Sequence, residues 1–359
     1  MPISLIATVL DEGPAMARLM DSLTAQTRLP DEVVIVDGGS ADDTVAVVRS
    51  YADRLPLRVI VDPGADNISK GRNRAIAAAS GDVIAATDAG VRLSPDWLAE
   101  LVAPFEGRDP PDVVCGFFLP DPQTAFEVAM GATVLPTESD VDPATFLPSS
   151  RSVAFCKAAW ERWPYPEWLD YCEDLVFDIG LKELGCRFTF APRALVWFRP
   201  RGSLRAFWRQ YWQYARGDGK SDLWRVRHAV RYGTYLLAAP ALALAGLLVH
   251  PLLWLLLPAG FAVYVWTPYR RLWPRLRDLS PLDRLVALAW VPIIRVAGDL
   301  AKMGGYPVGW WWRLRNWARP EVHWRRSVER GAGSVKRGAG SVGREAGSGE
   351  RDRTQPLSG

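Results

Sequence analysis

Between Ile3 and Gly90, short apolar runs alternate with helix-patterned segments, and three of those runs end on an aspartate. The runs are "ISLIATVL", "EVVIVD", "LRVIVD" and "GDVIAATDAG". Each is too short for a stable helix and most are rich in Val and Ile, the pattern of a strand buried on both faces. "AMARLMDSLTAQ", "DDTVAVVRSYA", "SKGRNRAIAAAS" and "SPDWLAELVAPF" lie between and after them with helical spacing. This alternation restricts residues 1–115 to an α/β fold, a Rossmann-like, mostly parallel sheet with flanking helices. Such sheets bind ligands beyond the carboxyl ends of their strands, where Asp37, Asp62 and Asp88 fall. A lone aspartate there is ordinarily a turn former, which is enough for Asp62. Asp37 and Asp88 on one edge point to a site. Asp42 and Asp43 open the next helix, where its dipole favours acids. Ser94 and Pro95 fit an N-cap and the first helical position.

Residues 116–228 are less regular and rich in Pro, Trp and Arg, as expected of a partner-binding or acceptor-binding half. "YCEDLVFDIGLKELGCRF" places two acids at the start of an amphipathic helix with Val176, Ile179, Leu181 and Leu184 on its apolar face. Lys+Arg number 43 against 40 Asp+Glu, a formal charge of +3, so no global nucleic-acid footprint exists. The four cysteines lack metal-binding or disulfide spacing and fit a reducing compartment. "MPISLIATVLDEG" lacks the basic start and long apolar core of a signal peptide, so the N-terminal half is expected in the cytoplasm.

From Tyr232 to Trp266 there is no Asp, Glu, Lys or Arg. As one helix this run would span about 52 Å, against a hydrocarbon core of about 30 Å. Two legs broken at His250–Pro251 fit better, because proline ends a helix. Arg225, Arg227 and Arg231 precede the run and Arg270, Arg271, Arg275 and Arg277 follow it. Basic flanks stay on the cytoplasmic side, so residues 229–268 read as a transmembrane hairpin; the alternative is a buried hairpin in a soluble core. Within the juxtamembrane stretch 269–320, Leu285–Met303 is apolar but holds Arg295, Asp299 and Lys302. It reads as an interfacial amphipathic helix or a third span, with Arg295 and Asp299 placed to pair at i,i+4. Residues 321–359 read as a Gly- and Ser-rich disordered tail with an imperfect RGAGSV repeat.

Four stretches together resemble family 2 inverting glycosyltransferases of the GT-A fold: "SLIATVLDEG", "LMDSLTAQTRLPDEVVIVDGGSADDT", "ISKGRNRAIAAASGDVIAATDAG" and "CEDLVFDIGLKELG". The resemblance covers roughly residues 3–220. It implies a GT-A domain over 1–228, divided into a nucleotide-binding half (1–115) and an acceptor-binding half with an interface helix (116–228). By resemblance, Asp37 accepts from the base of a nucleotide sugar, and Asp11 and Glu12 contact the nucleoside or form only a solvated turn. Arg72 lies near the nucleotide, where a guanidinium suits phosphate, or is a surface charge. Asp88 matches the first acid of the family's metal-binding D-x-D and implies Mg2+ or Mn2+; Gly90 replaces the second. Asp174 is implied as the general base and Glu173 as its neighbour, or both acids only cap the helix. Where many members of that family carry a metal-binding histidine, "PRALVWFRPRG" has Trp197 and Phe198 and no histidine. "QYARG" resembles the Q-x-x-R-W signature of processive members through Gln213 and Arg216, implying a diphosphate or acceptor contact, with Gly217 in place of Trp. The same run also reads as an interface helix.

The function implied is inverting transfer of one sugar, from a UDP-sugar by preference, to a membrane-delivered and possibly lipid-linked glycan. The expected location is the cytoplasmic face of the cell's inner membrane. The alternative is a catalytically weak nucleotide-sugar-binding subunit of a polysaccharide assembly complex. A polymer synthase would need more spans than the sequence offers.

Overall fold

The computed structural model describes residues 1–330. Eight strands form one mixed sheet: β1 (Ile3–Val9), β2 (Glu32–Asp37), β3 (Leu57–Val61), β4 (Val83–Ala86), β5 (Arg92–Leu93), β6 (Val113–Pro120), β7 (Val153–Cys156) and β8 (Phe188–Phe198). Their order is β3-β2-β1-β4-β7-β6-β8-β5. The first four pair in parallel, β7 runs antiparallel to β4 and β6, and β8 lies parallel to β6. Strand periodicity divides the core in two. Leu5, Ala7, Val33 and Ile35 face Met16, Leu19, Met20 and Leu23 of α1 (Pro14–Thr24), together with Trp97 and Leu98 of α4 (Trp97–Val102). The alternating residues Ile6, Val34 and Val36 face Ala75 and Ile76 of α3 (Ile68–Ala78), with Phe177 and Leu181 of α7 (Glu173–Glu183). Each fully buried aliphatic of this kind contributes roughly 1.5–3 kcal/mol. The expected α/β architecture with helices on both faces is present.

Local chemistry shifts two helix starts. α2 (Thr44–Arg49) begins just after the two acids, and Asp42 Oδ1 accepts from the Thr44 amide at 3.0 Å. Ser94 does not cap α4, which starts at Trp97. The Ser94 carbonyl accepts from the Trp97 amide instead, and its hydroxyl is buried without a partner.

Beyond the sheet, α5 (Ala125–Val134), α8 (Leu204–Ser221) and α12 (Pro281–Arg315) form a helical layer; the short α6 (Lys157–Arg162) follows β7. α12 runs unbroken through Pro292 and Pro307 for 35 residues, well beyond the 285–303 segment expected from the pattern. It buries Ala287, Val291, Ile294 and Ala301. Gly305 and Gly309 meet α8 backbone to backbone: a Cβ on Gly309 would lie 1.9 Å from the Arg216 carbonyl oxygen. Asp299 does not pair with Arg295 as the i,i+4 spacing suggested. It accepts from Arg231 Nε at 2.7 Å and from the Tyr264 hydroxyl at 2.6 Å, while Arg295 sits over the Tyr264 ring.

The charge-free run forms two legs. α9 (Arg225–Tyr232) continues through a π-helical turn into α10 (Ala239–Leu248); a 3-10 turn at Pro251–Leu255 leads into α11 (Leu256–Leu272). The break falls at His250–Pro251, as expected. Two stretches, Arg225–Leu248 (24 residues) and Pro251–Asp278 (28 residues), are long and apolar enough to cross a membrane. Their leucines and valines are exposed, Leu248 at 71% and Val263 at 77%. The hairpin's base is tied down by Arg271, bonded to Asp140 at 2.9 Å, and by the Arg231–Asp299 pair. The disorder expected from residue 321 onward does not hold for residues 321–330. Residues 324–330 are helical, and Val322, Trp324 and Val328 are buried against the domain. Residues 331–359 lie outside the described part of the chain.

Candidate active site

The loops after β1 and β2 are stitched together. Asp37 ends β2 almost fully buried; its Oδ2 accepts from the Gly39 and Ser40 amides, both at 3.0 Å, and its Oδ1 from the Ser40 hydroxyl. Gly39 adopts φ +96°, a conformation that favours glycine and closes this turn. The Ser40 oxygen accepts from the Asp11 amide at 2.9 Å, and Asp11 Oδ1 accepts from the Ala41 amide at 2.8 Å. The amides of Glu12 and Gly13 both donate to the Thr44 hydroxyl. Burial, and then the nearby Asp88 charge, raise the pKa of Glu12 above the ordinary carboxylate range. Asp11, Glu12, Asp37 and Asp88 thus share one sheet edge. Asp62 stays in the turn role: its Oδ1 accepts from the Gly64 amide at 2.8 Å, and Arg74 pairs with it.

Arg72 joins the two halves. It projects from α3, where Asn67 caps the first turn by accepting from the Lys70 amide. The side chain is 4% exposed; Nη2 bonds Asp88 Oδ1 at 2.8 Å and Nη1 bonds Glu173 Oε1 at 2.7 Å. Burial opposes its charge, but Asp88 and Glu173 prevail and hold it protonated. A free phosphate-gripping arginine is therefore not what the structure contains: both terminal nitrogens are already engaged by carboxylates.

Glu173 and Asp174 open α7 directly after Cys172, which adopts φ 64°, a left-handed conformation uncommon outside glycine. The thiol donates to the Tyr214 carbonyl at 3.3 Å, and backbone strain of this kind persists only where its surroundings enforce it. Asp174 Oδ1 accepts from the Leu175 amide at 2.9 Å; Oδ2 has no hydrogen-bond partner among the described residues. Burial raises the pKa of both carboxyls, with Asp174 adding to the shift of Glu173 and Arg72 opposing it in each.

These groups face a cavity of about 840 Å3 lined by Arg72, Asp88, Arg151, Glu173 and Asp174. Arg151 was not singled out in the sequence. Its guanidinium stacks over Phe198 at 4.5 Å and its Nε lies 3.7 Å from Asp88 Oδ2. The opposite end of the cavity is basic, with Arg227, His228, Arg231 and Lys302; the sequence had pointed to Arg227 and Arg231 only as flanks of the apolar run. Asp11 and Glu12 after β1 and Asp37 at the end of β2 lie outside this lining, and so do Gln213 and Arg216 of α8. Arg216 instead donates to Asp170 at 3.2 Å. Gly217 leaves no room for the tryptophan of a processive signature, because a Cβ there would lie 2.7 Å from the Tyr171 carbonyl oxygen.

Among the described residues no group of three His, Cys, Asp or Glu side chains could hold a metal. Asp88 offers one carboxylate, with Oδ2 clear of any close hydrogen bond. Such a donor fits a Mg2+ or Mn2+ ion that takes its other ligands from phosphate and water, and not a preformed cage.

Residues 4–139 match the family model described as Glycosyl transferase family 2. The chain carries a glycosyl transferase family 2 domain. Validoxylamine A glucosyltransferase from Streptomyces hygroscopicus subsp. limoneus is 32% identical over 117 residues, 32% of this chain and 26% of the relative. A PGL/p-HBAD biosynthesis glycosyltransferase of Mycobacterium tuberculosis (strain ATCC 25177 / H37Ra) is 30% identical over 115 residues, 32% of this chain and 45% of the relative. This chain thus spans less than half of either relative. A mannosyltransferase from Pyrobaculum calidifontis, solved with GDP-Man and Mn2+, superposes with a TM-score of 0.57 at 20% identity, over 84% of this chain and 86% of that one. That superposition shows the shared GT-A fold.

Proposed function

We propose that the protein transfers a single sugar, with inversion, from a nucleotide-sugar donor to an acceptor held at the cytoplasmic face of the inner membrane. The observation that carries this reading is Asp174, with one carboxylate oxygen unbonded, facing a cavity shared with Asp88 and Arg72. In the reaction the acceptor hydroxyl attacks the anomeric carbon, its proton passes to Asp174 Oδ2, and the bond to the diphosphate breaks on the opposite face. Glu173 cannot take that proton equally well, because Arg72 already occupies it. Arg72 instead fixes Glu173 and Asp88 relative to each other, and Arg151 adds a cation on the leaving-group side. Asp11, Glu12 and Asp37 suit the nucleoside, with uridine preferred. A base contact at Asp37 requires the Ser40 hydroxyl to yield its bond. Asp88 would hold the divalent ion together with the donor's diphosphate; bound there, the ion neutralises the departing charge as a Lewis acid. Gln213 and Arg216 have no direct contact in this scheme, and Arg216 acts through Asp170. The exposed apolar hairpin with basic residues at both ends of its base supports the membrane location.

The test is Asp174→Asn in the full chain. Removing a general base costs about 100- to 10,000-fold in turnover while calorimetric donor binding, measured with and without Mn2+, persists. Full transfer by the variant overturns the assignment. Donor binding by the wild type without turnover under any acceptor or metal would favour a non-catalytic binding subunit.

A further inference from the structure

The basic end of the cavity is not explained by donor chemistry. Arg227 lies there exposed, with its guanidinium 4.3 Å from the Trp224 ring centroid, and it meets no carboxylate among the described residues. Lys302 is half-buried over the Tyr211 ring and also meets none. Burial pushes its pKa down to about 8, with the Arg231 charge adding to the shift. Arg231 gives Nε to Asp299 and places Nη1 3.1 Å from His228 Nδ1, leaving Nη2 without a bond. The acids on this wall are Asp218, 3.1 Å from His228 Nε2, and Asp299. A half-buried cation with no anion is costly unless a ligand supplies one, and guanidinium forks suit phosphate oxygens.

A second cavity of about 440 Å3 lies between the hairpin legs, lined by Leu242 on one leg, Leu256 and Phe261 on the other, and Val296 of α12. Tyr264 also lines it, and the chain Tyr264–Asp299–Arg231 connects this groove to the basic end, with bonds of 2.6 and 2.7 Å. The legs meet at the tip, where Trp254 Nε1 donates to the Ala243 carbonyl, and at the base, where the Tyr235 and Tyr264 hydroxyls lie 2.9 Å apart.

We propose that these two features form one site for the acceptor: a glycan linked to a lipid phosphate, with its phosphate on Arg227, Arg231 and Lys302, its hydrocarbon chain in the groove between α10 and α11, and its sugar hydroxyl left free to reach Asp174. The proposal rests on the glycosyl-transfer reading and names its acceptor class. Charge complementarity selects the phosphate. Continuity with an apolar groove opening from the hairpin selects a lipid over a free anion, since each buried CH2 contributes about 0.8 kcal/mol.

The experiment titrates the full chain in detergent with farnesyl phosphate, farnesol and inorganic phosphate. Farnesyl phosphate is expected to bind at least about tenfold more tightly than either fragment. Arg227→Gln alone, and combined with Lys302→Gln, should weaken it by roughly tenfold or more, the worth of a charge-assisted contact, without changing farnesol binding. Leu242→Trp, filling the groove, should weaken farnesyl phosphate but not inorganic phosphate. The exposed position of Arg227 makes the single variant informative even where the double variant fails to fold. Equal affinity in the Arg227 variant, or inorganic phosphate binding as tightly as farnesyl phosphate, overturns the proposal. A wild type that binds the sugar nucleotide but not farnesyl phosphate overturns this site alone; one that binds farnesyl phosphate but no sugar nucleotide keeps the site and removes the transferase reading.

Discussion

At the scale of single residues, Arg72 does the most, because its two carboxylate bonds hold the nucleotide side and the α7 side in register. Its pairing with Glu173 links residues 101 positions apart. Removing one partner of a buried ion pair costs roughly 3–5 kcal/mol, so Arg72→Ala should lower the melting midpoint strongly. Arg72→Lys is the sharper variant, since one ammonium cannot serve both carboxylates with the same geometry. Arg72 lowers the pKa of Asp174 against the upward push of burial. A base works only when deprotonated, so transfer should fall as pH drops through a pKa above the ordinary carboxylate range. In Arg72→Lys that acid limb should move further up, as a profile of kcat/KM against pH would show. An unmoved limb would leave Arg72 a purely structural role. The sequence made Asp88, Glu173 and Asp174 legible because each ends a strand or opens a helix in a local pattern. It hid the role of Arg72, because a tertiary partner this distant leaves no trace in spacing. It hid the left-handed Cys172 for a related reason: that conformation is imposed by α8, through the Tyr214 carbonyl and the close approach of Gly217.

At the scale of elements, the sheet was readable from period-two apolar runs and the C-terminal layer was not. α12 looked like an interfacial helix because its charges interrupt an apolar stretch; those charges turn to partners on other elements, Asp299 to Arg231, Arg295 to the Tyr264 ring and Lys302 to the Tyr211 ring. What seats α12 is the absence of side chains. A Cβ on Gly305 would lie 2.1 Å from the Trp212 carbonyl oxygen, and one on Gly219 would lie 2.3 Å from that of Tyr306. Glycines in "MGGYPVG" gave no such signal alone, because their meaning depends on the facing helix. Gly309→Ala should separate α8 from α12 and destabilise by about 1–3 kcal/mol, the usual cost of overpacking. Gly304→Ala meets only the Trp212 ring edge at 3.3 Å and should cost much less. Thermal melts followed by circular dichroism compare the two, and equal losses would refute backbone contact as the cause.

At the scale of the whole molecule, the proposed membrane location rests on the hairpin. The sequence suggested two legs broken at His250–Pro251, the first of which begins its charge-free run at Tyr232. The structure extends the first to 24 residues, about 36 Å at a rise of about 1.5 Å per residue, against a core of about 30 Å. The extra length comes from α9, whose arginines point back to the cavity and the domain. The tip, near Val249 at 76% exposure, would then emerge on the far side of the membrane while the sheet stays in the cytoplasm. Background labelling is low, because three of the four native thiols are buried and Cys156 is half-buried. Val249→Cys should therefore react with a membrane-impermeant maleimide in intact cells. A cysteine at exposed Arg193, in β8, should react only after lysis. Labelling of position 193 and not 249 in intact cells would invert the topology. Protection of both would mean that the hairpin lies in one leaflet, with the basic cavity end drawn into the headgroup layer.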